Sequence, residues 1–184
     1  EERLDLGRVR NIRWISNREI FIHRWDARSA RSSLVVIDLD TGEERFEHSL
    51  EGPAIIGMDP SPDGAWLAFS DKGGLFLVST RTDSPAVEFG TGLYPRWTSD
   101  GKRIWDSSTV GRGVPSYYPV EVTETSIVRI GTPQVVNFAE RVRVQPVDGD
   151  RLILIGSSET RAEAGGVRMI ENWLDEVRRI APKD

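Results

Sequence analysis

"SPDGAWLAFS", residues 61–70, is a Pro-Asp-Gly corner that runs straight into alternating apolar residues. Two later stretches have the same shape: "TSDGKRIWDS" at 98–107 and "PVDGDRLILI" at 146–155. Asp-Gly between two alternating runs is a strong hairpin signal, because Gly takes positive φ without steric cost. Pro62 presets φ at the first corner of its turn. The strand that follows should place Trp66, Ala68 and Ser70 on one face and Leu67 and Phe69 on the other. Upstream, "IRWISNREIFIHRW" (12–25) carries Asn17 where the others carry Asp-Gly. Asn also tolerates positive φ, so the substitution should be mild. Arg13-Trp14 precedes that turn, and Arg96-Trp97 precedes the Gly101 turn.

More hairpins fill the intervals. "GLFLVST" (74–80) follows a turn at 71–74, "SLVVIDLDTGEERFEH" (33–48) reads as strand, turn, strand, and "YYPVEVTETSIVRI" (117–130) repeats that shape. Up to four short antiparallel strands every ~40 to 45 residues are the signature of a propeller blade. A blade cannot bury both faces alone and stacks on its neighbours around a central channel. A β-sandwich also has many short strands, but nothing in a sandwich calls for the same phrase at the same point of each unit. The expected fold class is therefore all-β, a β-propeller with units at 8–50, 51–91, 92–138 and 139–171. Together they form one propeller domain, 1–184, or the C-terminal part of one.

"SPDGAWLAFS", "YPRWTSDGKRIWDS" and "IRWISNREIFIHRW" resemble the WD40-like repeats of TolB-type β-propellers, whose phrase is roughly "PRWSPDGKxIAFS". The segments "YYPVEV", "IVRIGTPQVVNF", "VQPVDGDRLILI" and "MIENWLDEVRRIAP" are similar to the last blades of propellers appended to bacterial serine/threonine kinases and transcriptional regulators. The pattern is departed from at "RNIRWISNREI", which lacks Asp-Gly, and at Gln145-Pro146-Val147, where a Ser-Pro pair would stand. Propellers of this type usually have six blades or more. Four units then imply a C-terminal portion of a larger ring, with N-terminal blades missing, or self-association in which two copies complete one ring. A closed four-bladed ring is the third possibility. A single helix is expected at 172–180. Asn172 can cap it, Asp175 and Glu176 sit in its first turn, and Arg178 and Arg179 in its last, matching the helix dipole. Its stripe of Trp173, Val177 and Ile180 suits packing on the last blade, or docking of a partner.

Composition narrows the function classes. Apolar residues make up 38% of the 184, enough for a core, and the net charge is -5. An acidic chain without a basic block offers no general attraction to phosphate backbones, so no nucleic-acid partner is expected. No apolar run approaches the ~20 residues needed to span a bilayer, so no membrane insertion is expected. The N-terminal "EERLDLGRVRN" is charged and lacks the apolar core of a signal peptide. With no cysteine and only His23 and His48, a zinc site is not expected. "DLDTGEE" (38–44) has a faint look of a calcium loop, but Gly42 stands one residue early and the fifth-position Asp is missing. A hairpin turn accounts for it.

No G-x-S-x-G elbow, P-loop or kinase signature is present, and no catalytic residue, metal or other cofactor is expected. Attention falls instead on two long loops. "SSTVGRGVPSYY" (107–118) holds Arg112 between glycines and ends in Tyr117-Tyr118, and "WDARSARSS" (25–33) holds Arg28 and Arg31. Loops held by a rigid scaffold carry function disproportionately, and Tyr and Arg are enriched at interface hot spots. The bland alternative for both loops is a connection with its tyrosines tucked into the blade. Trp14, Trp66 and Trp97 read as inter-blade core. The sequence thus favours a non-catalytic binding or scaffold module, taking a protein or small ligand through propeller loops. Such a module would be the sensor domain of a larger bacterial protein such as a serine/threonine kinase. The alternative is the propeller accessory part of a hydrolase or peptidase whose catalytic residues lie outside this chain.

Overall fold

The computed structural model describes residues 8–51, 55–106, 116–122, 127–135, 142–148, 151–156 and 167–171. These residues form strands and no helix. The helix expected at 172–180 and the loop around Arg112 lie outside them.

The strands fall into four antiparallel sheets, each made of consecutive segments. The first contains β1 (Val9–Trp14), β2 (Glu19–Asp26), β3 (Arg31–Asp38) and β4 (Glu44–Glu51) in that order. The second contains β5 (Ile55–Pro60), β6 (Trp66–Asp71), β7 (Gly74–Ser79) and β8 (Val87–Thr91). The third runs β9 (Pro95–Trp97), β10 (Arg103–Asp106), β11 (Ser116–Val122) and β12 (Ile127–Ile130), with β13 (Gln134–Val135) pairing the other end of β11. The fourth has β14 (Val142–Asp148), β15 (Arg151–Gly156) and β16 (Val167–Glu171). This is the up-and-down order of a propeller blade. The first two sheets belong to one compact unit, residues 1–91, and the other two to a second, residues 92–184.

The repeated turn has one chemistry in the second and third sheets. Ser61 N donates to the Trp66 carbonyl at 2.8 Å and Gly64 N to the Ser61 carbonyl at 2.9 Å. The Ser61 hydroxyl donates to Asp63 Oδ1 at 2.6 Å and accepts from Trp66 N at 3.0 Å. Thr98 and Asp100 reproduce this: Thr98 Oγ1 donates to Asp100 Oδ1 at 2.5 Å and accepts from Arg103 N at 3.1 Å. Burial pushes both carboxyls up, but it is outweighed. The Ser61 hydroxyl, the Ala65 amide and Arg81 hold Asp63 below the usual range, and Thr98, the Lys102 amide and Arg103 do so for Asp100. Gly64 and Gly101 take the positive φ the turn requires, +66° and +67°.

The first sheet solves the turn differently. Its pairing of Trp14 with Ile20 leaves one residue fewer than that of Trp97 with Ile104 or Pro60 with Leu67. Asn17 does not take positive φ; the Ser16 hydroxyl instead accepts from Arg18 N and Glu19 N. The same registers show that Trp66 is not the equivalent of Trp14 and Trp97. Pro60 stands at their position, and Trp66 lies one strand later.

Alternation then decides what each face buries. Phe21, Leu34 and Val36 of the first sheet meet Met58, Leu67, Phe69 and Val78 of the second in one cluster, all at most 1% exposed. Burying each such side chain stabilises the fold by about 1.5–3 kcal/mol. Arg13 spans the first strands of the two sheets, with Nε donating to the Met58 carbonyl at 3.1 Å. The opposite face of the second sheet is buried too, through Ala68, Ser70, Leu75 and Leu77. On the first sheet the opposite face carries Ile20, Ile22, Val35 and Ile37, also buried. Its edge differs. Ile12 and Trp14, which pair with Ile22 and Ile20 and share their face, are 45% and 65% exposed, whereas the repeat-equivalent Trp97 is 7% exposed.

Candidate functional site

The apolar face of the first sheet turns polar toward one end. Along β2 that face reads Ile20, Ile22, Arg24, Asp26. Across the strands, Arg24 pairs with Ser33 and Ser33 with Ser49, and in the next row Asp26 pairs with Arg31. Period-two alternation therefore brings charged and hydroxyl groups to one place directly beyond the Ile22–Val35 pair.

The turn after Asp26 completes the place. Asp26 Oδ1 accepts Arg28 N at 2.9 Å and Oδ2 accepts the Ser29 hydroxyl at 2.7 Å. The Arg28 amide, then the Ser29 hydroxyl, hold this carboxyl below its usual range. Ala30 closes the turn at φ +54°, a conformation uncommon for a residue with a Cβ. Arg28 and Arg31, both exposed, leave from either side of it.

β1 adds the third wall. A bulge between Val9 and Asn11 lets Val9 keep its pairing with Arg24 and Asn11 with His23. The Arg8 carbonyl accepts Trp25 N at 3.1 Å, and the Arg10 guanidinium sits 5.5 Å from the Trp25 ring centre. The result is an open bay of about 830 Å³ whose basic groups are Arg8, Arg24, Arg28 and Arg31. Asp26 and Glu47 also line it. Arg24 pairs with Glu44. Among the described residues, the Arg28 guanidinium acts on Asp26 through its charge, and no hydrogen bond engages the guanidinium groups of Arg8, Arg28 or Arg31. The bay can therefore present the N–H donors of three guanidinium forks and several hydroxyls to a ligand.

Beneath it, His23 is fully buried, with Nε2 3.0 Å from the Ser32 hydroxyl and Nδ1 without a partner. Burial, with a smaller contribution from Arg10, lowers its pKa to about 4. It is a neutral framework group. The Asp38 carboxylate of the "DLDTGEE" turn is committed to backbone amides, accepting Asp40 N at 2.8 Å and Thr41 N at 3.0 Å.

The structure thus joins Arg28 and Arg31 in one site. Tyr117 and Tyr118 are in the third sheet, buried to 7% and 3% exposure. The Tyr117 ring packs 5.4 Å from that of Trp105, and its hydroxyl pairs with Gln134. These rings are part of the sheet's packing. Arg112 is outside the described residues. Sequence reading did not single out Arg8, Arg24, Ser33 or Ser49. A signal existed for Arg24, which breaks the apolar alternation of Ile20 and Ile22. Arg8 arrives through a backbone bulge, and no residue type announces that.

No protein-family model and no curated protein sequence matches the chain. Solved structures do. TolB from Acinetobacter baumannii superposes with a TM-score of 0.60 at 19% identity, over 90% of this chain and 44% of that one. The β-propeller domain of Myceliophteria thermophila Cps50 (Swd1) gives 0.60 at 13% identity, over 91% and 53%. Kuenenia stuttgartiensis hydrazine synthase gives 0.51 at 17% identity, over 86% and 44%. The chain spans about half the length of these solved chains. At such identities the likeness is one of fold, and the fold is that of a β-propeller.

Proposed function

We propose that the chain is a non-catalytic β-propeller interaction module that holds a partner protein in the bay on its first sheet. Propeller folds host both enzymes and binding proteins, so the fold by itself carries no function. The observation that supports the reading is the set of Arg8, ahead of β1, and Arg28 and Arg31, at the β2–β3 hairpin, three guanidinium groups lining one bay with no hydrogen bond among the described residues. Arginine is enriched among the residues that anchor protein interfaces. In the larger setting suggested by the resemblance of its repeats and tail, the module would serve as the sensor or scaffold part of a bacterial protein such as a serine/threonine kinase.

The test uses affinity capture on the purified 184-residue chain, then reconstitution of the captured protein with that chain by calorimetry. Reversing Arg28 and Arg31 to Glu should weaken the reconstituted complex by about tenfold or more, since like-charge juxtapositions cost several kcal/mol. Arg31 lies directly across from Asp26, so the reversal should lower the melting temperature slightly, and binding is compared at a temperature where both chains are folded. A reconstituted partner that binds the double variant as tightly as the parent, or the absence of any partner, overturns the reading.

A further inference from the structure

We infer that the bay takes an acidic polypeptide segment, gripped through two or more of its carboxylates. This rests on the interaction-module reading and adds the chemistry of the partner. Charge carries the argument first. Four arginines converge where, among the described residues, Asp26 and Glu47 line the bay and Glu44 pairs with Arg24, in a chain whose net charge is -5. Asp26 is turned inward to its own loop, accepting from Arg28 N and Ser29 Oγ. Arg24 is the member that already has a carboxylate, Glu44, and that pair shows what the remaining forks can do. A guanidinium offers paired N–H donors that match a carboxylate in the bidentate mode.

Shape and neighbours select a polypeptide over a bare ion. The bay of about 830 Å³ is open and exceeds what one small anion fills. It reaches from Arg24 across Ser33 to Ser49, three strands wide. Strands lie about 4.8 Å apart, so basic and hydroxyl groups are spaced on the scale of successive residues of a peptide. Ser33 and Ser49 hydroxyls can donate to or accept from its backbone. The rest of the surface selects against a long polyanion. A net negative protein repels a nucleic acid that extends beyond the patch, while a segment with a few carboxylates stays within one screening length, about 8 Å at physiological salt.

The experiment uses the full chain and fluorescein-labelled decapeptides of fixed length, with glutamate content rising from none to about five and glutamine making up the balance. Fluorescence anisotropy should show affinity rising with glutamate content. The most acidic peptide should bind about tenfold tighter than the all-glutamine one near 50 mM salt, and the gap should shrink near 300 mM. Arg28→Ala with Arg31→Ala should abolish most of that gap, and Arg28→Lys with Arg31→Lys should restore part of it. Equal binding across the series, lost on arginine replacement, would overturn the acidic assignment and leave the interaction reading standing. No peptide binding at all overturns both. Inorganic phosphate that saturates the bay while every peptide fails, or a duplex oligonucleotide that binds more tightly than the acidic peptide, overturns the polypeptide assignment.

Discussion

Replacing Gly64 by Ala separates two penalties that share one position. The first is backbone strain: φ is +66°, and a residue with a Cβ there costs about 1 kcal/mol. The second is contact. A Cβ on Gly64 would run into the γ2 methyl of Ile15, itself packed on the buried cluster between the first two sheets. Forcing an extra carbon into packed surroundings costs about 1–3 kcal/mol, so the total is about 2–4 kcal/mol. Gly73 is the control. Its φ is +91°, and a Cβ there meets nothing within 4 Å. Gly73→Ala should therefore show strain alone, about 1 kcal/mol. Urea unfolding followed by tryptophan fluorescence measures both. A chain of this size should lose about 2–4 °C of Tm per kcal/mol, so heat separates the two variants as well. In an Ile15→Ala background the contact disappears, and Gly64→Ala should fall to the cost of Gly73→Ala. Equal costs for Gly64→Ala and Gly73→Ala in the parent would refute the close approach of the turn to Ile15. So would a full penalty that survives Ile15→Ala.

His23 sets a pH limit on stability. Its folded pKa of about 4 lies below the ordinary 6.5, so the unfolded chain takes up the proton first and stability falls as pH drops through the window from 6.5 to 4. The loss is roughly 3 kcal/mol; His48, also lowered by burial, adds to it. His23→Gln should flatten most of this slope in urea titrations at stepped pH, and an unchanged slope would refute it. The exposed edge of the first sheet should drive self-association: light scattering at roughly tens of micromolar should give a mass above the monomer, and Trp14→Lys should return it to the monomer. A parent chain that stays monomeric at that concentration counts against this.

What was legible in the sequence was what local chemistry dictates. Asp-Gly demanded positive φ, and Gly64 and Gly101 have it. Ser61 and Thr98, each two residues before its Asp, were equally informative, because their hydroxyls close the two turns. The first turn was misjudged because shortening a hairpin by one residue removes the need for positive φ; Asn17 was not standing in for glycine. Pro60 in the place of a Trp was hidden for a related reason. Equivalence follows strand register, and register is set by turn length as much as by residue type. For the site, Arg28 and Arg31 were visible as charges on a long loop. Their convergence with Arg24 needed the pairing of β2 with β3, and Arg8 needed the bulge in β1. For Tyr117 and Tyr118 the sequence left both an interface and packing into the blade open, and the pairing of β11 with β10 and β13 buries both rings.

The repeat explains where function can sit. Among the described residues of the first three sheets, those that obey the phrase are consumed by it: Ser61 with Asp63 and Thr98 with Asp100 close turns, Trp97 is buried, and Arg13 ties one first strand to the next. Such groups hold the sheet together, and changing them unsettles it. The bay is built from departures. Arg24 interrupts an apolar row, Ala30 holds a turn conformation that a glycine would take more easily, and a bulge at Arg10 carries Arg8 into place. Departures of this kind contribute little to folding, since exposed charges are worth about 0–1 kcal/mol even when paired. Stability therefore does not account for gathering four arginines on an acidic chain, whereas the proposed binding would.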